Sequence, residues 1–310
     1  ALGFTPDLLA CGPRLATRLP HPIRRREMSQ QVPAWFAPWY SDQVIHKVQH
    51  KGFRLRGTTQ GGDVKANEAN WRIAAKVAAQ KLIRGSDATP VNGGRSKVTA
   101  TMDQWQVFDY VYEEDLERLG VNEKDVVTTS GAMALGRAFD EEIMREANAA
   151  AAGASVTDTT NGLTFVNALA FVSAAQVAAE AMWDGDWYCP LPAKLWNQLN
   201  AYKQFNSSDH VGEDMPFTKM TDTRKWNGIN WFLAPDVWFP VPSANQVDIL
   251  LWHRSALGYT TNWDVRTTLA WENIKTAWSV NMRMSGIAKA LLPEIIIRGR
   301  FNTNATITPN

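Results

Sequence analysis

The sequence predicts an α+β chain. Two runs of alternating apolar and polar residues flank a turn-rich segment, one long helical pattern follows, and the last third is mainly strand-like. In the first run Trp71, Ile73, Ala75 and Val77 alternate with Arg72, Ala74 and Lys76. In the second, Val98, Ala100 and Met102 alternate with Lys97, Thr99, Thr101 and Asp103. Between them lie Gly85, Ser86, Pro90, Asn92, Gly93 and Gly94, the residue types of a hairpin tip. A lone two-stranded hairpin is barely stable in water, so this one is expected to lie on another surface.

The stretch 105–112 (WQVFDYVY) continues as a strand with large side chains on both faces, which predicts burial on both. A helix is expected over 122–151. Asn122 suits its N-cap, Glu123 and Asp125 suit the dipole of its first turn, and Ala132, Leu135, Phe139, Ile143 and Ala147 follow helical spacing. At 1.5 Å per residue it would be about 45 Å long. After a small-residue linker, Gly153–Asn161, further helices are expected at Phe165–Met182 and Pro192–Tyr202, with a short buried strand at Trp187–Leu191. Residues 206–229 read as a polar loop. Strands are expected at Val247–Trp252, Gly258–Asn262, Val265–Leu269 and Ala277–Met284, then a short helix at Ile287–Leu292 and a strand at Glu294–Ile297.

The chain has 310 residues, 45% hydrophobic and 20% charged, enough for a sizeable buried core. No apolar run reaches the roughly 18–20 residues of a membrane helix. Cys11 and Cys189 are too few for a disulfide framework, which points to a reducing compartment. Fourteen tryptophans leave two roles open, core filler or anchor buried by a partner. The net charge of +1 hides a segregation: residues 51–100 hold ten basic and three acidic residues, and residues 103–146 hold four basic and twelve acidic. Such blocks neutralise each other within one chain or between copies.

Residues 1–27 differ from the rest, with four prolines and few acids. Met28 is the expected natural start, which would make residues 1–28 an atypical leader; without 1–27 the balance is 27 basic against 29 acidic residues. From Ser29 to about Gly61 an extended arm with one short helix is expected, its Trp35, Phe36, Trp39 and Tyr40 docking on another surface.

A search for chemistry finds no active site, cofactor motif or metal set. Glu113-Glu114-Asp115 and Glu141-Glu142 are the only acid–base candidates, and they read as solvated or salt-bridged faces. His46 and His50 have helical i, i+4 spacing but no obvious third ligand. Cys189, between Tyr188 and Pro190, reads as a buried structural thiol.

Several stretches carry a family resemblance: Lys51-Gly-Phe-Arg-Leu-Arg56, Gly136-Arg-Ala-Phe-Asp140-Glu-Glu-Ile143, Trp252-His-Arg-Ser-Ala-Leu-Gly258 and Met282–Ile297. In order and spacing, Ser29–Phe301 resembles the tailed-phage major capsid proteins of the Hong Kong 97 (Johnson) fold. The resemblance implies an amino-terminal arm (29–60), an extended loop (61–104) and a peripheral domain built from 105–159, with the spine helix, and 246–301. An axial domain (160–245) and a tail (302–310) complete it. It further implies pentamers and hexamers tiling an icosahedral shell around double-stranded DNA, assembled in the bacterial host cytoplasm. Portal and scaffolding proteins, and a decoration protein, are the further partners it suggests. The residues expected between subunits are Trp35, Trp39, Arg54, Arg56, Trp71, Arg72, Lys76, Lys97, Glu113, Asp125, Asp140 and Glu141. Some relatives cross-link Lys to Asn; Lys81 or Lys97 is a candidate donor, but no motif marks an acceptor or catalytic acid. Three rivals remain: an encapsulin-like shell around cargo protein, a Trp-lined carbohydrate hydrolase using Glu113 and Asp115, and a nucleic-acid-binding module using the basic hairpin.

Overall fold

The computed structural model describes residues 50–81, 84–85, 87, 90–114, 123–152, 155–180, 186–206 and 222–306. All of them belong to one compact unit, residues 42–310. Trp35, Trp39, His46, Asp115, Asn122 and Cys11 fall outside the described residues.

Three sheets and one long helix organise this unit. A 3-10 turn at Leu55–Thr58 leads into β1 (Gln60–Gly61), β2 (Asp63–Lys65) and β3 (Glu68–Ala74). β4 (Arg95–Thr101) and β5 (Asp103–Tyr112) follow, then helix α1 (Glu123–Ala150) and β6 (Ser155–Asp158). Next come α2 (Phe165–Ala178), β7 (Trp187–Leu191), α3 (Ala193–Asn200), α4 (Lys203–Asn206), β8 (Thr223–Trp226) and β9 (Ile229–Leu233). The chain closes with β10 (Gln246–His253), β11 (Leu257–Glu272), β12 (Ala277–Ala290) and β13 (Ile296–Asn302).

The expected hairpin is present. β3 and β4 pair antiparallel with Trp71 opposite Val98, and β2 adds a third strand beside β3. Its base rests on the rest of the chain through a small apolar cluster of Ala69, Trp71, Met102, Ile287 and Leu291. The expected long helix is also present: α1 runs for 28 residues and buries Leu135, Phe139, Ile143 and Ala147 as one stripe. That stripe packs on a four-stranded sheet of order β1-β11-β12-β5, with Phe139 edge-on to Tyr259 (4.1 Å) and Trp105 (5.5 Å).

The second core belongs to a six-stranded sheet of order β6-β13-β10-β7-β9-β8. β7 and β9 are parallel, joined by a crossover containing α3 and α4. Trp187, Trp231 and Trp252 are fully buried here, and Phe171 of α2 meets Phe301 of β13 edge-on. Asp248 and Arg300, directly opposite on β10 and β13, form a two-bond ion pair (2.6 and 2.9 Å). Gln198 of α3 accepts from the Leu163 N–H (2.9 Å) and donates to the Asn302 and Thr303 carbonyls, tying three segments together.

Three expectations need correction. β5 is not buried on both faces: Val111 is its only buried residue, because it is an edge strand with α1 on one side only. The polar loop expected to reach residue 229 contains β8, which pairs with β9 across Asn227-Gly228. Both turn residues have positive φ (49° and 79°), the geometry that an Asn-Gly pair supplies to a two-residue hairpin. No helix forms at Ile287–Leu292, since β12 continues to Ala290 paired with β11. Across residue 246 the chain stays in one sheet. β10 and β13 hydrogen-bond into the six-stranded sheet, and so does β6.

Candidate assembly surface

Two of the sequence stretches singled out above, 136–143 and 252–258, converge on the segment 50–61, which contains a third. The first crossing is with α1. Gly52 (φ +81°) lies against Gly136 so closely that a Cβ on either would meet the other's backbone, at 2.3 Å from Gly52 and 3.0 Å from Gly136. The Phe53 N–H reaches the Gly136 carbonyl (3.3 Å), and the Arg137 guanidinium donates to the His50 carbonyl (3.2 Å). One turn further along α1, Asp140 accepts the backbone N–H groups of Arg54 (3.1 Å) and Leu55 (3.0 Å).

The second crossing is with the β10–β11 junction. Trp252 Nε1 donates to the Thr58 carbonyl (3.3 Å) and Arg254 Nε to the Thr59 carbonyl (3.4 Å). Gln60 and Gly61 then pair parallel with Gly258 and Tyr259. Hence the backbone of 52–61 is fixed to the helix, to the six-stranded sheet and to the four-stranded sheet within ten residues. Few of its polar groups are left to find partners.

The electrostatics follow from this burial. Asp140 is 1% exposed, and burial pushes its carboxyl up to about 6 while the two N–H donors pull the other way. His50, 3.8 Å from it and edge-on to Trp238, is held below its ordinary value by burial and then by Arg54 and Arg137. Cys189 is fully buried in β7, and its thiol is pushed well up by burial.

The residues expected between subunits divide into two groups. Trp71 and Asp140 are spent inside the chain: Trp71, 4% exposed, lies against Gly62 and Gly258, and Asp140 holds the 50–61 segment. Arg54 and Arg56 pair with Asp222 (2.6 Å) and Asp264 (3.3 Å), at the surface. Arg72, Lys97, Glu113, Asp125 and Glu141 are exposed. Lys76, also exposed, pairs with Glu180. None of these pairs joins the basic block 51–100 to the acidic block 103–146.

The described tryptophans mostly fill the core. Trp71, Trp187, Trp196, Trp231, Trp238 and Trp252 are buried, whereas Trp271 is 37% exposed beside Trp278 near the tip of the β11–β12 hairpin. Among the described residues no group of His, Cys, Asp and Glu is placed to hold a metal ion, and no helix is long and apolar enough to cross a membrane.

A long helix against a four-stranded sheet, a three-stranded sheet built on the β3–β4 hairpin, and polar groups spent on anchoring backbone make up this surface. The model of a family described as phage capsid protein matches residues 32–302, and the chain belongs to that family. Among solved structures it is similar to the capsid of cyanophage P-SCSP1u, with a TM-score of 0.68 and 14% identity over 88% of this chain and 94% of that one. It is similar to the capsid of Ralstonia phage GP4, with a TM-score of 0.66 and 9% identity over 89% and 98%. The cyanophage Pam1 capsid gives a TM-score of 0.65 and 11% identity over 86% and 96%. What is shared at such identities is the Hong Kong 97-like capsid fold. No curated protein matches the chain in sequence.

Proposed function

We propose that this chain is the major capsid protein of a tailed phage, assembling as pentamers and hexamers into an icosahedral shell around double-stranded DNA. The observation that carries the reading is the family match across 32–302, on a fold whose basic hairpin projects from an acidic helix-and-sheet body. We infer domains that follow the sheets in place of the expected boundaries. The peripheral domain is β1, β5, α1, β11 and β12; the axial domain is β6 through β10 with α2–α4 and β13; β2–β4 form the extended loop; and residues 29–60 form the arm.

In this reading the hairpin lies across a neighbouring copy. Its exposed Arg72 and Lys97 meet acids such as Glu113, Asp125 or Glu141, which steers and registers neighbours. Burial of apolar surface, at about 25 cal/mol per Å² before association costs, supplies most of the affinity. Trp35 and Trp39 are arm anchors. The role is structural, with no catalytic step; assembly takes place in the host cytoplasm, with portal and scaffolding proteins as partners and a decoration protein as a further one. The packaged DNA is contacted without sequence preference.

Electron microscopy of the purified chain under assembly conditions tests this. Closed icosahedral shells are the expected result, and a persistent monomer overturns it. Shells that load a cargo protein in place of DNA favour the encapsulin-like alternative.

A further inference from the structure

The sequence holds three Asn-Gly pairs, Asn92-Gly93, Asn161-Gly162 and Asn227-Gly228. Glycine has no side chain to keep its backbone nitrogen away from the amide carbon of the preceding asparagine. That nitrogen can attack the amide carbon. A new N–C bond closes a five-membered imide, the bond to the side-chain nitrogen breaks, and ammonia leaves with the Gly N–H proton. Water then opens the imide at either carbonyl, giving aspartate or an isoaspartate whose main chain runs through the side chain. Water is the only other reactant, and no oxidation occurs.

The fold decides which pair reaches that geometry. Closure needs the Asn Cα–C bond to turn until the Gly nitrogen lies against the side-chain carbon. Asn161 is held on three sides: Asp158 accepts its backbone N–H (2.9 Å) and its side-chain amide (3.0 Å), and its carbonyl accepts the Asn302 N–H (3.3 Å). Gly162 is buried, with the Gln198 amide where a Cβ would stand. Asn227-Gly228 is the two-residue turn between β8 and β9, with Trp226 and Ile229 paired on either side of it. Both turn residues have positive φ, and turning the Asn227 Cα–C bond would undo that pairing. Asn92-Gly93 has neither restraint. Asn92 is exposed, outside the paired strands and just beyond the Ala75 N–H to Gly94 carbonyl bond (2.8 Å). Among the described residues neither the Asn92 side chain nor the Gly93 N–H has a hydrogen-bond partner.

We infer that Asn92 is a site of spontaneous modification, losing its side-chain amide through a cyclic imide to aspartate and isoaspartate while Asn161 and Asn227 keep theirs. Between Lys76 and Lys97 the chain carries five basic residues and one acid, and each event adds a second negative charge there. The isoaspartate product also lengthens the main chain by one carbon just before β4. This chemistry belongs to the single chain and does not depend on shell assembly.

The test is peptide mass mapping of the full chain aged at mildly alkaline pH, once folded and once in urea. Each event leaves its peptide heavier by the difference between water and ammonia, and enzymatic methylation of the free α-carboxyl counts the isoaspartate. In urea all three pairs should react at comparable rates. In the folded chain Asn161 and Asn227 should fall below Asn92 by about tenfold or more, a factor that about 1.4 kcal/mol of restraint imposes. A folded chain in which either pair reacts as fast as Asn92 overturns the assignment, and so does an Asn92 rate that folding lowers as much as theirs. Asn92→Gln would have to close a six-membered ring, so the peptide spanning residue 92 should keep its original mass. A mass gain retained there places the reaction on another residue and overturns the assignment too. An unchanged urea unfolding curve shows that this variant is folded.

Discussion

Asp140 accepts one backbone N–H on each carboxylate oxygen, from Arg54 at 3.1 Å and Leu55 at 3.0 Å, and so fixes the 50–61 segment to α1. The same carboxyl is buried and titrates near 6, against an ordinary value of 3.8. The folded protein therefore holds this proton more tightly than the unfolded chain does. Asp140's contribution to stability is full below about pH 4 and is lost as pH rises through about 6, a swing on the order of 2–3 kcal/mol.

His50 acts in the opposite sense. Its folded value is depressed, so its contribution is present above the ordinary value of 6.5 and lost on acidification. Thermal unfolding of His50→Gln from pH 4 to 7 should expose the Asp140 slope, with stability falling as pH rises. Adding Asp140→Asn should flatten that slope and cost about 1–3 kcal/mol at pH 5, because the amide NH2 faces a backbone N–H.

The Gly52–Gly136 crossing should tolerate no side chain. Gly52→Ala introduces a Cβ 2.3 Å from the Gly136 carbonyl carbon at φ +81°. A loss of about 2–4 kcal/mol is expected from strain and overpacking together. Denaturant unfolding of the subunit measures it. The exposed control Gly57→Ala, where a Cβ meets nothing within 4 Å, should stay within about 0.5 kcal/mol of the parent.

Removing Arg300 leaves Asp248, 4% exposed, charged and without its two-bond partner. Arg300→Met should cost about 2–4 kcal/mol, and Asp248→Leu with Arg300→Met together should cost less than that single change. A double-mutant cycle in urea separates the two outcomes, and a double variant worse than Arg300→Met would refute the account.

Gln198 is the buried amide that joins the start of α2 to the end of β13. Gln198→Leu leaves the buried Leu163 N–H unsatisfied and removes two bonds to the Asn302 and Thr303 carbonyls, an expected loss of about 1–3 kcal/mol. Hydrogen exchange should accelerate first at Leu163 and around Asn302.

Much of this was legible in the residues. The period-2 runs around Gly93-Gly94 and the stripe Leu135, Phe139, Ile143, Ala147 marked the hairpin and α1, because each pattern is local and set by backbone geometry. Burial of β5 was not legible, because large side chains on two faces do not reveal which face lies at a sheet edge. The β8–β9 hairpin was missed although Asn227-Gly228 is a strong turn signal, since the polar residues before it suggested an unbroken loop. Of the candidate surface, the stretches around Arg54, Arg137 and Trp252 stood out singly. Their meeting depends on contacts 80 to 200 positions apart in sequence, which no local pattern encodes.

The short pairing of Gln60-Gly61 with Gly258-Tyr259 has a mechanical consequence. A force drawn along the hairpin is passed into the two sheets and α1 by this pair, the Trp252 and Arg254 bonds and the Asp140 bonds, all within ten residues of chain. The segment therefore behaves as a cleat, which holds the base of the hairpin to the body whatever pulls on its tip.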